Sequence, residues 1–339
     1  MSRLRRPRWP ALLAVGFALT AGASTWAWET DSGYYAFLPQ DALPAAEAVK
    51  ADGGDPPAPG SGFYFLTVSV LHTNEIQKLW AEHWVDGAEL VPEDRILAPG
   101  QSDEQRRSGD LRAMTDAKTT AQIVAERALG RPVRIDHLGA RVEAVQPGLP
   151  AERSGVRAGA VIVAAGGHPV GSATDLIDAM RRLSPGDPVT LEFAGGQTRR
   201  LTTVASPDDG RAVVGVSIGD AVRVGPPPVP VKISTPGIGG PSAGLAFALE
   251  IYDSLSGRKL LRGHRIAVTG EIDLDGGVHA IGGVHQKALS AIDAGADLLI
   301  VPTDNLADAR EAAAGRVRVV GVDSFEGALA AVRALPVAS

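Results

Sequence analysis

The sequence predicts a multidomain chain: an N-terminal membrane-spanning helix (residues 1–30), a β/α segment with linkers (31–130), a compact β-rich unit (131–205) and a C-terminal α/β unit (206–339). Three observations predict it: an uncharged run behind a cluster of arginines, a turn-rich alternation from Arg131 to Ala205, and a succession of strand and helix patterns after a proline-rich connector. At 339 residues the chain exceeds what one core usually holds, and 45% apolar with 21% charged residues suffices for real cores. The net charge of −6 argues against a nucleic-acid surface, which needs lysine and arginine in excess. With no cysteine, disulfide scaffolds, cysteine-based zinc sites and cysteine nucleophiles are excluded.

Arg3, Arg5, Arg6 and Arg8 precede a stretch from Trp9 to Trp28 without a charge, which ends at Glu29. Twenty helical residues span roughly 30 Å, the thickness of a bilayer core. The arginines place the N-terminus in the cytoplasm and the bulk of the chain outside it, at the cell membrane. Ala21-Gly22-Ala23 also resembles a signal-peptidase site, so a cleaved leader is the alternative.

Residues 51–62, rich in Gly, Pro and Asp, read as a spacer. Phe63 to Leu71 reads as a strand, Glu75 to Trp84 as an amphipathic helix, and 100–112 as a polar surface loop. Thr115 to Leu129 has helical spacing and closes at Gly130. In 131–205 a strand at 141–145, a helical turn at 149–155, a strand at 160–164, a helix at 174–183 and a hairpin around Gly195-Gly196 follow one another. Beyond the connector Gly225-Pro226-Pro227-Pro228-Val229-Pro230, strands are read at 231–234, 266–274, 298–301 and 317–322. Helices are read at 241–256, 284–294, 306–314 and 325–335.

The candidate nucleophile is Ser242 in Gly239-Gly240-Pro241-Ser242-Ala243-Gly244. Pro241 suits a first helical position, so Ser242 is expected at a helix N-terminus, where unpartnered N–H groups and the helix dipole favour a developing oxyanion. Taken alone, such a serine is more often an ordinary helix cap. The second feature is Ile281-Gly282-Gly283-Val284-His285-Gln286-Lys287, a glycine turn leading into a helix. Lys287 stands beside the apolar stripe of that helix, and a lysine held against apolar surroundings loses its proton more readily, so it can act as a general base. The third is Val268-Thr269-Gly270-Glu271-Ile272 at a strand end. A histidine base is the alternative to Lys287, but none of the seven histidines stands in a known triad context. The chain has neither a His-Glu-x-x-His zinc motif nor a Gly-x-x-x-x-Gly-Lys-Ser/Thr phosphate loop, so no metal, cofactor or ATP hydrolysis is expected.

"GPSAG", "VTGE" and "IGGVHQK", in that order and followed by "LIVPTDN" at 299–305, resemble the proteolytic domain of the Lon family. "PGLPAERSGVRAGAVIVAAGGHPV", then a helix and "SPGDPVTLEF", resembles a PDZ domain of the bacterial protease type. The order of parts is similar to that of membrane-anchored PDZ–Lon serine peptidases, which lack an ATPase module. The resemblance implies an extracytoplasmic, ATP-independent endopeptidase with Ser242 as nucleophile and Lys287 as base. Thr269 would orient the lysine amine, and backbone N–H groups near Gly240 and Ser242 would hold the oxyanion. Substrates would be flexible peptides or tails of membrane-bound proteins, selected or gated by the PDZ domain. A terminal carboxylate would sit on the backbone of Leu138, Gly139 and Ala140, beside Leu176, Ile177 and Met180. The resemblance also makes a homo-oligomer possible. The alternative is a catalytically silent PDZ scaffold or chaperone that binds peptide termini at the membrane surface.

Overall fold

The structure is a computed structural model that describes residues 28–52, 54–98, 101–131, 133–206, 210–225 and 227–338. The expected membrane span lies outside the described residues except for its last residue, Trp28. Among the described residues no helix is long and apolar enough to cross a membrane. Helix Asp103–Ala128 has the length, 26 residues, but carries charged side chains throughout, and apolar Gly244–Leu255 has only 12 residues. No described helix therefore supports the transmembrane helix of the expected fold class, nor the membrane partner and single-pass cell-membrane location drawn from it.

The chain divides into two compact units: residues up to 130 together with 229 onward, and residues 131–228. The smaller unit ends at 228 rather than at 205, and the 31–130 segment and the residues from 229 onward build one unit.

The larger unit is centred on a five-stranded sheet in the order Leu43–Pro44, Gly62–Phe65, Arg265–Val268, Leu298–Pro302, Arg318–Val322. All neighbours after the first pair are parallel. Leu298–Pro302 is buried along its whole length, as its unbroken apolar sequence requires of a strand covered on both faces. Side-chain alternation sorts its neighbours. Ile266, Val268, Leu298 and Ile300 face one core, shared with Phe63, Phe65 and helices Asp103–Ala128, Gly244–Leu255 and Phe325–Arg333. Ala267, Leu299 and Val301 face the other, shared with helices Val284–Asp293 and Leu306–Ala313. Phe65 stacks edge-on against Phe247 at 5.2 Å, which shows why the early strand belongs with the late helices. The run read as one strand over 63–71 is two: Gly62–Phe65 joins the parallel sheet, whereas Val68–Asn74 pairs with Asp31–Pro39 in a separate three-stranded antiparallel sheet.

Within the stretch 100–112, read as a loop, residues 103–112 form the first turns of helix Asp103–Ala128. Ser102 and Gln105 close a reciprocal capping box. The composition misleads because no side chain before Met114 is buried on this helix; Met114 and the following Ala121, Val124 and Ala125 pack into the core.

Beneath the serine helix lies a buried ionic group. Glu250 and Asp253 are fully buried, and Arg258 Nη1 lies 2.7 Å from Glu250 and 3.6 Å from Asp253. Burial, only partly offset by Arg258, pushes the Glu250 carboxyl up to about 7. Because this pKa is raised above its unfolded value, the associated stability is full at acid pH and lost as pH rises through about 7. Arg258→Met is expected to cost about 3–5 kcal/mol at pH 8 and clearly less at pH 5, where the abandoned carboxylates protonate. Urea denaturation at the two pH values measures the difference.

The smaller unit is a sheet in the order Thr198–Thr202, Pro188–Phe193, Val161–Ala165, Ile135–Val145, Val216–Val224. Its own core is formed by Val142, Ile162, Leu191 and Leu201 with Leu176 of helix Ala173–Met180. Strand Val216–Val224, beyond the expected boundary at 205, pairs with Ile135–Val145 from end to end.

Candidate active site

Ser242 and Lys287 come from elements on opposite faces of the parallel sheet and meet near the C-terminal end of strand Arg265–Val268. The carboxyl ends of parallel strands are where open α/β sheets place their sites. Lys287 Nζ lies 2.9 Å from Ser242 Oγ, in hydrogen-bond contact.

On the serine side, strand Val231–Ile233 runs into a loop that rests on helix Asp103–Ala128. Gly239 leaves no room for a side chain, since a Cβ there would stand 2.8 Å from Asp110 Cβ. Gly240 has φ +87°, and its N–H donates to the Asp110 carbonyl at 2.8 Å. The helix begins at Gly244, three residues later than the sequence predicts. The reason is a tertiary competition for the Ser242 carbonyl: it accepts from Gly270 N–H at 2.8 Å and from Thr269 Oγ1 at 3.3 Å, so it is not free to open the helix ladder. The Leu245 N–H, donated to Gly270 O at 3.1 Å, completes the stitch. Thr269 is fully buried, and its hydroxyl thus holds the serine backbone, where the sequence reading had it orienting the lysine amine.

On the lysine side, Gly283 caps helix Val284–Asp293 in the left-handed region at φ +67°, against Val68. Asn305 fixes this turn from the next element: its Oδ1 accepts from Ile281 N–H at 2.8 Å, and its Nδ2 donates to Ile281 O at 3.2 Å. Lys287 is only 4% exposed. Burial lowers its amine from 10.5 to about 7, so near neutral pH a large fraction carries a lone pair. His285 is exposed on the same helix, and His279 Nε2 lies 2.6 Å from Asp273 Oδ2.

The sequence reading missed Asp110, Gly270 and Asn305. Asn305 stood inside "LIVPTDN", but its partner is 24 residues away and no local spacing signals the clamp.

In the smaller unit, Leu138, Gly139 and Ala140 do not form a loop. They lie within strand Ile135–Val145, where Gly139 pairs with Ala221, and Ala140 pairs with both Asp220 and Ile162. Of the three, only Ala140 is paired on both sides; Gly139 pairs with Ala221 alone, and Leu138 stands at the register shift between Ala221 and Val222. The edge strand on this side is Val216–Val224, with helix Ala173–Met180 packed beside it and Asp220 Oδ1 accepting from Ala173 N–H at 2.6 Å. Leu176 is core at 3% exposure, whereas Ile177 is open at 37%.

Among the described residues one group has the ligand types for a metal ion, Asp31, His72 and Glu93, with their ligand atoms within 4.8 Å of one another. It lies on and beside the three-stranded sheet and shares no residue with the Ser242–Lys287 pair.

The larger unit is thus an α/β fold that brings a serine hydroxyl against a buried amine, and the smaller a β sheet with one helix packed beside it. Residues 232–328 match the Lon protease C-terminal proteolytic domain, and residues 141–195 match the PDZ domain. Lon protease of Desulforamulus reducens is 46% identical over 69 residues, 20% of this chain and 8% of that protein. Lon protease 1 of Herpetosiphon aurantiacus is 49% identical over 72 residues, 21% of this chain and 9% of that protein. The matched stretch therefore spans less than a tenth of either relative. The crystal structure of the PDZ domain of an SdrC-like protein from Listeria monocytogenes aligns at 23% identity, covering 24% of this chain and 86% of that one, with a TM-score of 0.22. The domain matches and the relatives' names support a serine peptidase.

Proposed function

We propose that the chain is an ATP-independent serine endopeptidase in which Ser242 is the nucleophile and Lys287 the general base. The observation that carries this reading is the 2.9 Å contact between a half-exposed hydroxyl and a buried amine whose pKa lies near 7. Neutral Lys287 takes the hydroxyl proton as Oγ attacks the scissile carbonyl. The Gly240 N–H is committed to Asp110, so the oxyanion falls to the N–H groups at Ser242 and Ala243, ahead of the helix, with the dipole of Gly244–Leu255 behind them. The protonated lysine then gives its proton to the leaving amine as the C–N bond breaks. Water, deprotonated by the same amine, releases the acyl group from Ser242.

The chain has no phosphate-binding loop to drive unfolding, so its substrates are flexible peptides and unfolded segments. The PDZ unit recruits them by strand addition along the open edge Val216–Val224, against Ile177 of the neighbouring helix. The test is incubation of the full chain with an unfolded protein and a fluorophosphonate probe. Cleavage that is equal with and without ATP, together with labelling at Ser242, is the expected result. Peptide binding with neither cleavage nor labelling overturns the peptidase reading in favour of a silent scaffold.

A further inference from the structure

The serine loop leans on a part of helix Asp103–Ala128 that has no apolar anchor of its own. No side chain from Asp103 to Ala113 is buried, yet Asp110 in this stretch receives the Gly240 N–H and lies against Gly239. What fastens the stretch is Arg106. Its Nε and Nη2 donate to Asp103 Oδ1 at 3.1 and 2.8 Å, and its Nη1 donates to Asp110 Oδ2 at 2.8 Å. The same Asp103 oxygen accepts from Tyr35 Oη at 3.0 Å, and the guanidinium stands over the Tyr35 ring at 5.4 Å. Tyr35 is fully buried in strand Asp31–Pro39, so the network ties two polar helical turns to a rigid strand. The Arg106 side chain is only 14% exposed, and its fork geometry lets it grip one carboxylate a turn before it and another a turn after it.

We propose that Arg106 is a positioning residue for Ser242. Through Asp103, Tyr35 and Asp110 it fixes the carbonyl that holds Gly240, and thereby sets where Pro241 and Ser242 stand relative to Lys287. The consequence for catalysis rests on the peptidase reading; the consequence for the loop does not.

The test uses the full chain and the variants Arg106→Ala, Arg106→Lys and Tyr35→Phe. Amide hydrogen exchange is followed over residues 237–245 and, as an internal reference, over strand Leu298–Pro302. In Arg106→Ala the Gly240 amide is expected to exchange at least about tenfold faster, with the reference strand unchanged, because the opening is local. Under the peptidase reading, kcat per titrated active site falls about tenfold to hundredfold with KM within about twofold, as expected for a nucleophile displaced by a fraction of an ångström. Arg106→Lys, which keeps the charge but not the fork, and Tyr35→Phe, which removes one donor, fall between the wild type and Arg106→Ala. Exchange at Gly240 that is unchanged, or that rises only in step with Leu298–Pro302, overturns the positioning role. Faster local exchange with wild-type kcat confines Arg106 to the loop and overturns its catalytic consequence. A wild-type chain that neither cleaves nor labels overturns the peptidase reading instead, and the exchange measurement still decides the role of Arg106 in holding the loop.

Discussion

Replacing Ser242 with alanine is expected to lower kcat/KM by on the order of 10⁴-fold or more. Under the proposed mechanism the side chain supplies the attacking oxygen, and Ala leaves the backbone stitch to Gly270 and the buried Thr269 undisturbed, because both bonds end on the Ser242 carbonyl. The variant should therefore melt with the wild type and still bind peptide, while losing both cleavage and fluorophosphonate labelling. Cleavage of a fluorogenic peptide at the wild-type rate by the alanine variant would remove Ser242 from the mechanism. Thr269→Val would separate the two roles of this corner: it loses the hydroxyl bond to the serine backbone but keeps the N–H bond to Ile300.

The second large effect is the pH dependence set by Lys287. With its pKa lowered to about 7 by burial, the neutral, reactive fraction is about a tenth at pH 6 and about nine tenths at pH 8. Thus kcat/KM of the free enzyme is expected to rise about tenfold from pH 6 to pH 8 and then level off. A profile flat over this interval would exclude the lysine as base. Lys287→Arg keeps a charge that is never given up at these pH values and is expected to be inactive throughout.

The same lowered pKa is also a stability statement. A group whose folded pKa lies below its unfolded value contributes its full stability above the unfolded pKa, here 10.5, and loses it as pH falls through about 7. Lys287→Met, which fills similar space without charge, is therefore expected to stabilise the chain by on the order of 3 kcal/mol at pH 6, shrinking as pH rises toward 10. Thermal or urea denaturation of the inactive variant across this range gives the curve directly. The burial that keeps Lys287 neutral thus comes at some expense of stability.

The amino-acid sequence by itself marked the candidate residues: Ser242 ahead of a helix, Lys287 beside an apolar stripe and Thr269 at a strand end are each written in a few contiguous residues, where glycine turns and periodicity are local properties. It likewise determined the late strands and helices, whose apolar runs are continuous. Tertiary structure alone decided the rest. It joined Phe63 and Phe65 to the C-terminal helices and delayed the serine helix by engaging the Ser242 carbonyl. It also set Leu138–Ala140 within a strand and left Val216–Val224 as the edge. Each of these outcomes depends on a partner tens to hundreds of residues away, and hydrogen-bond competition or burial by such a partner leaves no trace in local spacing. The acidity of Lys287 belongs to the same class: the residue is named by sequence, but its neutral form is produced by the packing that keeps water from it.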